Sequence, residues 1–318
     1  MATSAAAKNP LYPLTGDFLL HIRLRIFLLL LFPSVAEVRA QFDSRHVLAS
    51  ALMESCYRFH FVRADSLLQC IRKQPSQVPP VEADLLEANL IWWKTISGLK
   101  DKNLRSRFYK TLESARRHSD PDRSGSLNSI VHRLSIQGFR TRMAMLDQSY
   151  ASGFLQLSSS LKLFEKILGK ENENPVLLVF NGLYHYYWSR SWEEYFLLRP
   201  YLSLYPDGNR QLGIQLLERA GKCGVRSVET EARYFLMKIF LDEKKPALAL
   251  PFARRLCRDY PGNPVFAYYL ATALKQSGED EEASACEAGL LEKMGRNPEM
   301  NAVQIQHFKQ LCSRKEKK

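Results

Sequence analysis

From Asp43 onward apolar residues return at every third or fourth position. Ala64, Leu67, Leu68 and Ile71 stand at i, i+3, i+4 and i+7, and Leu104, Phe108, Leu112 and Ala115 repeat that spacing. This period matches the helical turn and gathers the apolar side chains on one stripe, whereas a half-buried strand would alternate at every second residue. No stretch reads convincingly as a strand. Proline, glycine, asparagine and serine interrupt the pattern at 74–80, 120–126 and 171–175; they favour turns and withhold the backbone donor or geometry a helix needs. The breaks divide the chain into expected helix pairs: about 43–60 with 62–74, 83–98 with 102–118, 126–146 with 149–169, and 175–190 with 209–222.

The stretch 230–298 is written nearly twice. Leu236 recurs as Leu270, Phe240 as Leu274, Ala249 as Ala283, Leu256 as Leu290, and Asn263-Pro264 as Asn297-Pro298, each 34 residues apart, since 270 − 236 = 34. With Thr230 as position 1, interior positions 4, 7, 8 and 11 of the first helix hold Arg233, Leu236, Met237 and Phe240. Positions 20, 24, 27 and 32 hold Ala249, Ala253, Leu256 and Pro261. The next unit holds Ala267, Leu270, Ala271, Leu274, Ala283, Glu287, Leu290 and Gly295 there, with Gly278 at the turn. Small residues at 8 and 20 let two helices cross closely. This register resembles the tetratricopeptide repeat, a two-helix unit that stacks on its neighbours to bury its apolar face. Arg233, Glu287 and Gly295 depart from that pattern, and the first three pairs match the repeat length poorly.

The fold class expected is all-α: an α-solenoid of about six antiparallel hairpins, each touching only its neighbours, with a capping helix near 299–315. The resemblance also implies which residues face a concave groove, those at positions 2, 5, 9, 12 and 13 of each first helix. They are Glu231, Tyr234, Lys238, Leu241 and Asp242, then Val265, Tyr268, Thr272, Lys275 and Gln276. Tyr234, Lys238, Tyr268, Thr272 and Lys275 are the expected partner-binding set, tyrosines giving rigid contact area and lysines a charge for an acidic side chain or terminal carboxylate. Ordinary exposed helix faces also carry Lys and Tyr, so that alternative stays open.

Residues 189–207 are expected to interrupt the fourth hairpin. Between Phe180 and Tyr205 ten of 26 residues are aromatic, against 11% in the whole chain, and Trp188, Trp192 and Tyr195 are the expected anchors of a partner surface there. The rival expectation is that these rings fill a small core of their own. Gly182-Leu-Tyr-His-Tyr-Tyr-Trp188, Arg199-Pro200 and Gly208-Asn-Arg-Gln-Leu-Gly213 resemble a variant hairpin of exported tetratricopeptide proteins of the Bacteroidota type, over roughly 175–298. That resemblance implies a periplasmic helical scaffold and carries over no catalytic residue.

His21, Arg23 and Arg25 precede an apolar run at 26–32, with Pro33 and Val38-Arg39-Ala40 following. The pattern is that of a signal peptide cleaved after Ala40, since the run is well short of the roughly 20 residues that span a bilayer. Its rival is an uncleaved anchor. The expected organisation is thus 1–40 signal peptide, 41–170 degenerate helical hairpins, 171–229 the variant hairpin with its aromatic insertion, 230–298 two repeat units, and 299–318 a capping helix and basic tail. The chain has 318 residues and a net charge of +12; the leader holds four basic and two acidic residues, leaving 12 − 2 = +10. A basic excess suits acidic partners or anionic headgroups, so peripheral membrane contact stays possible. Export argues against nucleic acid.

Candidate chemistry is sparse. The sequence has no Walker loop, no Gly-x-Ser-x-Gly and no His-Glu-x-x-His, and its seven histidines stand singly. Asp120-Pro-Asp-Arg-Ser-Gly-Ser126 begins like a calcium loop, but Val131 stands where the closing glutamate belongs. His185 with Glu193 and Glu194 is the nearest thing to an acid–base group. The six cysteines lack Cys-x-x-Cys spacing; Cys56 with Cys70 is the pairing that export would permit. The reading is a non-catalytic protein-interaction scaffold without metal or cofactor, exported and holding a peptide or partner protein. The alternative is a membrane-attached structural component kept in place by its leader.

Overall fold

A computed structural model of the protein describes residues 44–99, 101–119, 125–147, 149 and 159–313, and every regular element among them is helical. Helices α1 (Ser44–Tyr57) and α2 (Phe61–Arg72) form the first hairpin, and α3 (Pro80–Ile96) and α4 (Lys102–Ser119) the second. α5 (Leu127–Leu146) follows. Of its expected partner at 149–169, residues 159–164 are helical, 165–169 turn, and 150–158 lie outside the described residues. α6 (Pro175–Glu194) runs further than the expected break, then gives way to a 3-10 turn (Phe196–Leu198) and the single-turn α7 (Arg199–Leu202) before α8 (Arg210–Ala220) packs back on α6. The last pairs are α9 (Arg226–Asp242) with α10 (Pro246–Asp259) and α11 (Pro264–Gln276) with α12 (Asp280–Arg296), closed by α13 (Ala302–Ser313). The leader at 1–40, residues 120–124 of the calcium-like loop and the tail at 314–318 lie outside the described residues.

Local chemistry accounts for the helix starts. Asn174 and Asn263 each precede a proline in the first turn, where its missing N–H costs no hydrogen bond. Asn174 Oδ1 accepts the Val176 amide at 2.9 Å; Asn263 Oδ1 accepts those of Val265 and Phe266 at 2.9 and 3.1 Å. Ser126 Oγ likewise accepts the Ser129 amide at 3.2 Å and caps α5. The third Asn-Pro pair behaves differently: Asn297 ends α12, its side chain accepts the Glu299 amide, and α13 starts only at Ala302. α10 and α12 begin at Pro246 and Asp280, and 280 − 246 = 34. Ala249, Ala253, Ala271 and Ala283 are buried where these helices meet.

The hairpins do not touch only their sequence neighbours. Asn263 Nδ2 donates to the Tyr57 carbonyl at 2.8 Å, the Tyr57 and Tyr260 rings lie 5.3 Å apart, and Trp93 meets Phe266 edge-on at 5.8 Å. Further along, Glu299 accepts the Val62 amide, and Gln304 Nε2 donates to Ser97 Oγ. The first two hairpins therefore lie against the last ones. The physical reason is α3. Its residues 83–93 are all buried, polar ones included, so other helices must enclose it. Its polar residues are paired: Asp84 with Arg72 and His118 (both 2.8 Å), and Glu87 with Arg107 at 2.6 Å and with Arg72.

Candidate functional site

Where α9 and α11 turn their inner faces toward the C-terminal end of α3, a cleft of about 710 Å³ is left between them. Trp92 and Ile96 of α3, Val265 of α11, and Phe308 and Leu311 of α13 supply apolar wall. Gly98 allows α13 to come this close: its φ is +98°, and a Cβ there would stand 2.7 Å from the Cβ of His307.

Lys238 enters the cleft from α9 and is only 8% exposed. Its Nζ donates to the Tyr269 hydroxyl at 3.1 Å and lies 4.6 Å from the centroid of that ring. No carboxylate among the described residues stands within ion-pair distance of it. Burial works against the charged ammonium, but Tyr269 and the more distant Asp242 outweigh it and hold Lys238 above the ordinary lysine range. Burial likewise raises Asp242, with Lys238 and Arg190 pulling the other way. Tyr234, whose ring lies 5.8 Å from that of Tyr269, is pushed well up by burial. Elsewhere on the lining Arg105 pairs with Asp147, whose carboxyl burial raises despite that pair, and Asp101 and Lys102 stand exposed at the rim.

Three of the five expected groove residues, Tyr234, Lys238 and Tyr268, line this cleft. Thr272 and Lys275 do not. Thr272 Oγ1 donates back to the Tyr268 carbonyl at 2.9 Å, and Lys275 Nζ is engaged by Glu287 at 2.6 Å. Glu231 and Leu241, expected to look into an open groove, are both buried, Glu231 because Tyr57 of α1 and Arg142 of α5 occupy that side. The aromatic set is elsewhere. Trp188 is buried and stacks on half-buried Trp192, centroids 5.2 Å apart at 7°, and half-buried Tyr195 ends α6. None of the three lines the cleft, so groove and insertion do not form one surface there. His185 is pushed down by burial. Glu193 and Glu194 are tied to Arg210 and Arg190 rather than poised beside it. Cys56 is buried, Cys70 exposed, and both are free thiols.

Repeat register missed Trp92, Arg105, Asp147, His307 and Phe308, because these come from other hairpins. One signal could have found part of the set: the apolar run Leu90-Ile-Trp-Trp93 late in α3, too wide for a single stripe and so marking a segment that others must surround. The described lining holds no Ser or Cys, and its Thr95 hydroxyl is spent on the Ile91 carbonyl at 2.8 Å. The cleft thus offers apolar wall and one buried cation with hydrogen-bonding capacity to spare. The described residues form an all-α protein of packed helical hairpins, with this cleft between its second hairpin, the end of α5 and helices α9, α11 and α13. Compared with family models, curated proteins and solved structures, the chain matches none.

Proposed function

We propose that the protein is a non-catalytic protein–protein interaction scaffold of tetratricopeptide type, whose cleft holds an extended segment of a peptide or partner protein. Lys238 is the observation that carries this. A buried ammonium costs stability unless its donors are satisfied, and one of its three donors is matched, by a neutral hydroxyl. An acidic side chain or chain-end carboxylate of a partner would complete the set. The flanking residues of the segment would lie on Trp92, Phe308 and Leu311. The 34-residue register supports the family reading, and the leader pattern at 1–40 supports action in the periplasm.

Lys238→Met tests this, because methionine keeps much of the volume and removes the charge. Reversal to glutamate would instead set a second buried acid near Asp242. After in-cell crosslinking and affinity capture, the folded variant is expected to lose the main partner that the wild type retains. Added salt is expected to weaken the wild-type complex. Capture at the wild-type level by folded Lys238→Met contradicts the proposal.

A further inference from the structure

The segment that leaves α6 is a second exposed feature, independent of the cleft. Phe196, Leu197 and Leu204 are 68%, 66% and 70% exposed, and they stand in the 3-10 turn and just beyond α7. Large apolar side chains that far out of the core lose water-avoidance energy unless something covers them. Among the described residues the excursion packs mainly on α6 and on itself, which leaves these side chains exposed.

Its composition identifies the kind of cover. Residues 195–206 read Tyr-Phe-Leu-Leu-Arg-Pro-Tyr-Leu-Ser-Leu-Tyr-Pro: four leucines, four aromatic rings, one arginine and no carboxylate. Tyrosine and tryptophan settle where an apolar body meets a wet, polar layer, and leucine and phenylalanine reach the acyl chains beneath. Arg199 stands at the margin of this apolar set. Its Nε donates to the Trp192 carbonyl at 2.8 Å, its guanidinium lies 5.5 Å from the Trp192 ring, and the side chain is exposed. Of the nearby acids, Glu193 and Glu194 are matched by Arg210 and Arg190, and exposed Asp207 follows directly after the segment. The chain as a whole carries +12, complementary to an anionic leaflet.

We propose that residues 195–206 are a membrane-contact element, which places Phe196, Leu197 and Leu204 in the interfacial layer of a bilayer with Trp192 and Tyr201 at headgroup level. A partner protein's apolar groove is the competing occupant. The geometry favours the bilayer: the apolar groups stand on a short excursion rather than along a helix face that a second helix could match. The hydrogen bond and ring contact between Arg199 and Trp192 tie the base of the excursion to the end of α6.

The test is vesicle flotation with the full chain, comparing wild type with Phe196→Ser/Leu197→Ser/Leu204→Ser; both carry the same leader, so only the excursion differs. The three positions are exposed, so the helical circular dichroism and melting of the two are expected to agree. On mixed phosphatidylcholine and phosphatidylglycerol vesicles the variant is expected to bind at least about tenfold more weakly. Brominated acyl chains are expected to quench wild-type tryptophan fluorescence, and Trp192→Phe to remove most of that quenching. Equal vesicle binding by wild type and the folded triple variant overturns the proposal. So does an unquenched Trp192, or a protein complex lost in the triple variant while vesicle binding stays unchanged.

Discussion

Glu243 shows how much a single side chain can join. It stands just past α9, nearly buried, and accepts hydrogen bonds from Tyr186 of α6 at 2.6 Å, from Lys245 at 2.8 Å, and from Arg210 of α8. Burial alone would raise its carboxyl. Lys245, Tyr186 and Arg210 outweigh that and hold it at about 2, against an ordinary 4.5. Above pH 4.5 the carboxylate is ionised in both folded and unfolded chains, and its bonds count in full. As pH falls from 4.5 toward 2 the unfolded chain takes up the proton first, so this stabilisation is lost across that window. Urea unfolding of wild type and Glu243→Gln is therefore expected to show a gap that narrows between those values. A gap that stays constant would mean the carboxylate is not held this way. Little of this was legible beforehand, because Glu243 meets groups 33 and 57 residues away. Glu231 is similar: the register turned it toward a groove, but Arg142 of α5 meets it at 3.4 Å and Tyr57 donates to it at 3.2 Å. Arg142 also lies within 5.8 Å of the Trp92, Phe139 and Phe235 ring centroids, which encloses the pair completely.

Among the elements, the best-read were those whose apolar period and caps agreed. In α9 to α12 Leu236, Phe240, Ala249, Leu256, Leu274, Ala283 and Leu290 are buried as their spacing expects, while Leu270, the counterpart of Leu236, is only half-buried. Ala283 is fully buried in α12, which packs against α11, and a close helix crossing leaves little room for a larger side chain. Ala283→Leu is expected to cost about 1–3 kcal/mol in denaturant unfolding. An unchanged midpoint would show that the crossing is looser than described. The excursion after α6 was read half correctly, since the helix continues through Trp188 and Trp192 to Glu194 before the chain breaks away. Aromatic density marked the place. It could not say that Trp188 would be buried while Phe196 and Leu197 stay in water, because that division depends on where α8 lies against α6.

At the scale of the molecule, the expected open array is closed. Local hydrophobic period fixes which residues pair within a hairpin, but it is silent about which distant hairpins meet. The contacts of Tyr57 with Tyr260 and Asn263, and of Ser97 with Gln304, join residues about 200 positions apart. They cover the inner side of α9 and α11 and leave the cleft around Lys238 within it. Three of the eight candidate residues reached that cleft by repeat register alone: Tyr234, Lys238 and Tyr268. The account's central claim is that the cleft receives a partner's acidic segment on Lys238. Placing a benzophenone side chain at position 268, inside the cleft, and irradiating cells puts that claim to the most direct test. The account predicts a discrete protein adduct at 268 that disappears when Lys238→Met is added, with none from the same probe at the exposed Leu248 of α10. An adduct at 248 with none at 268, or one at 268 indifferent to Lys238, contradicts it.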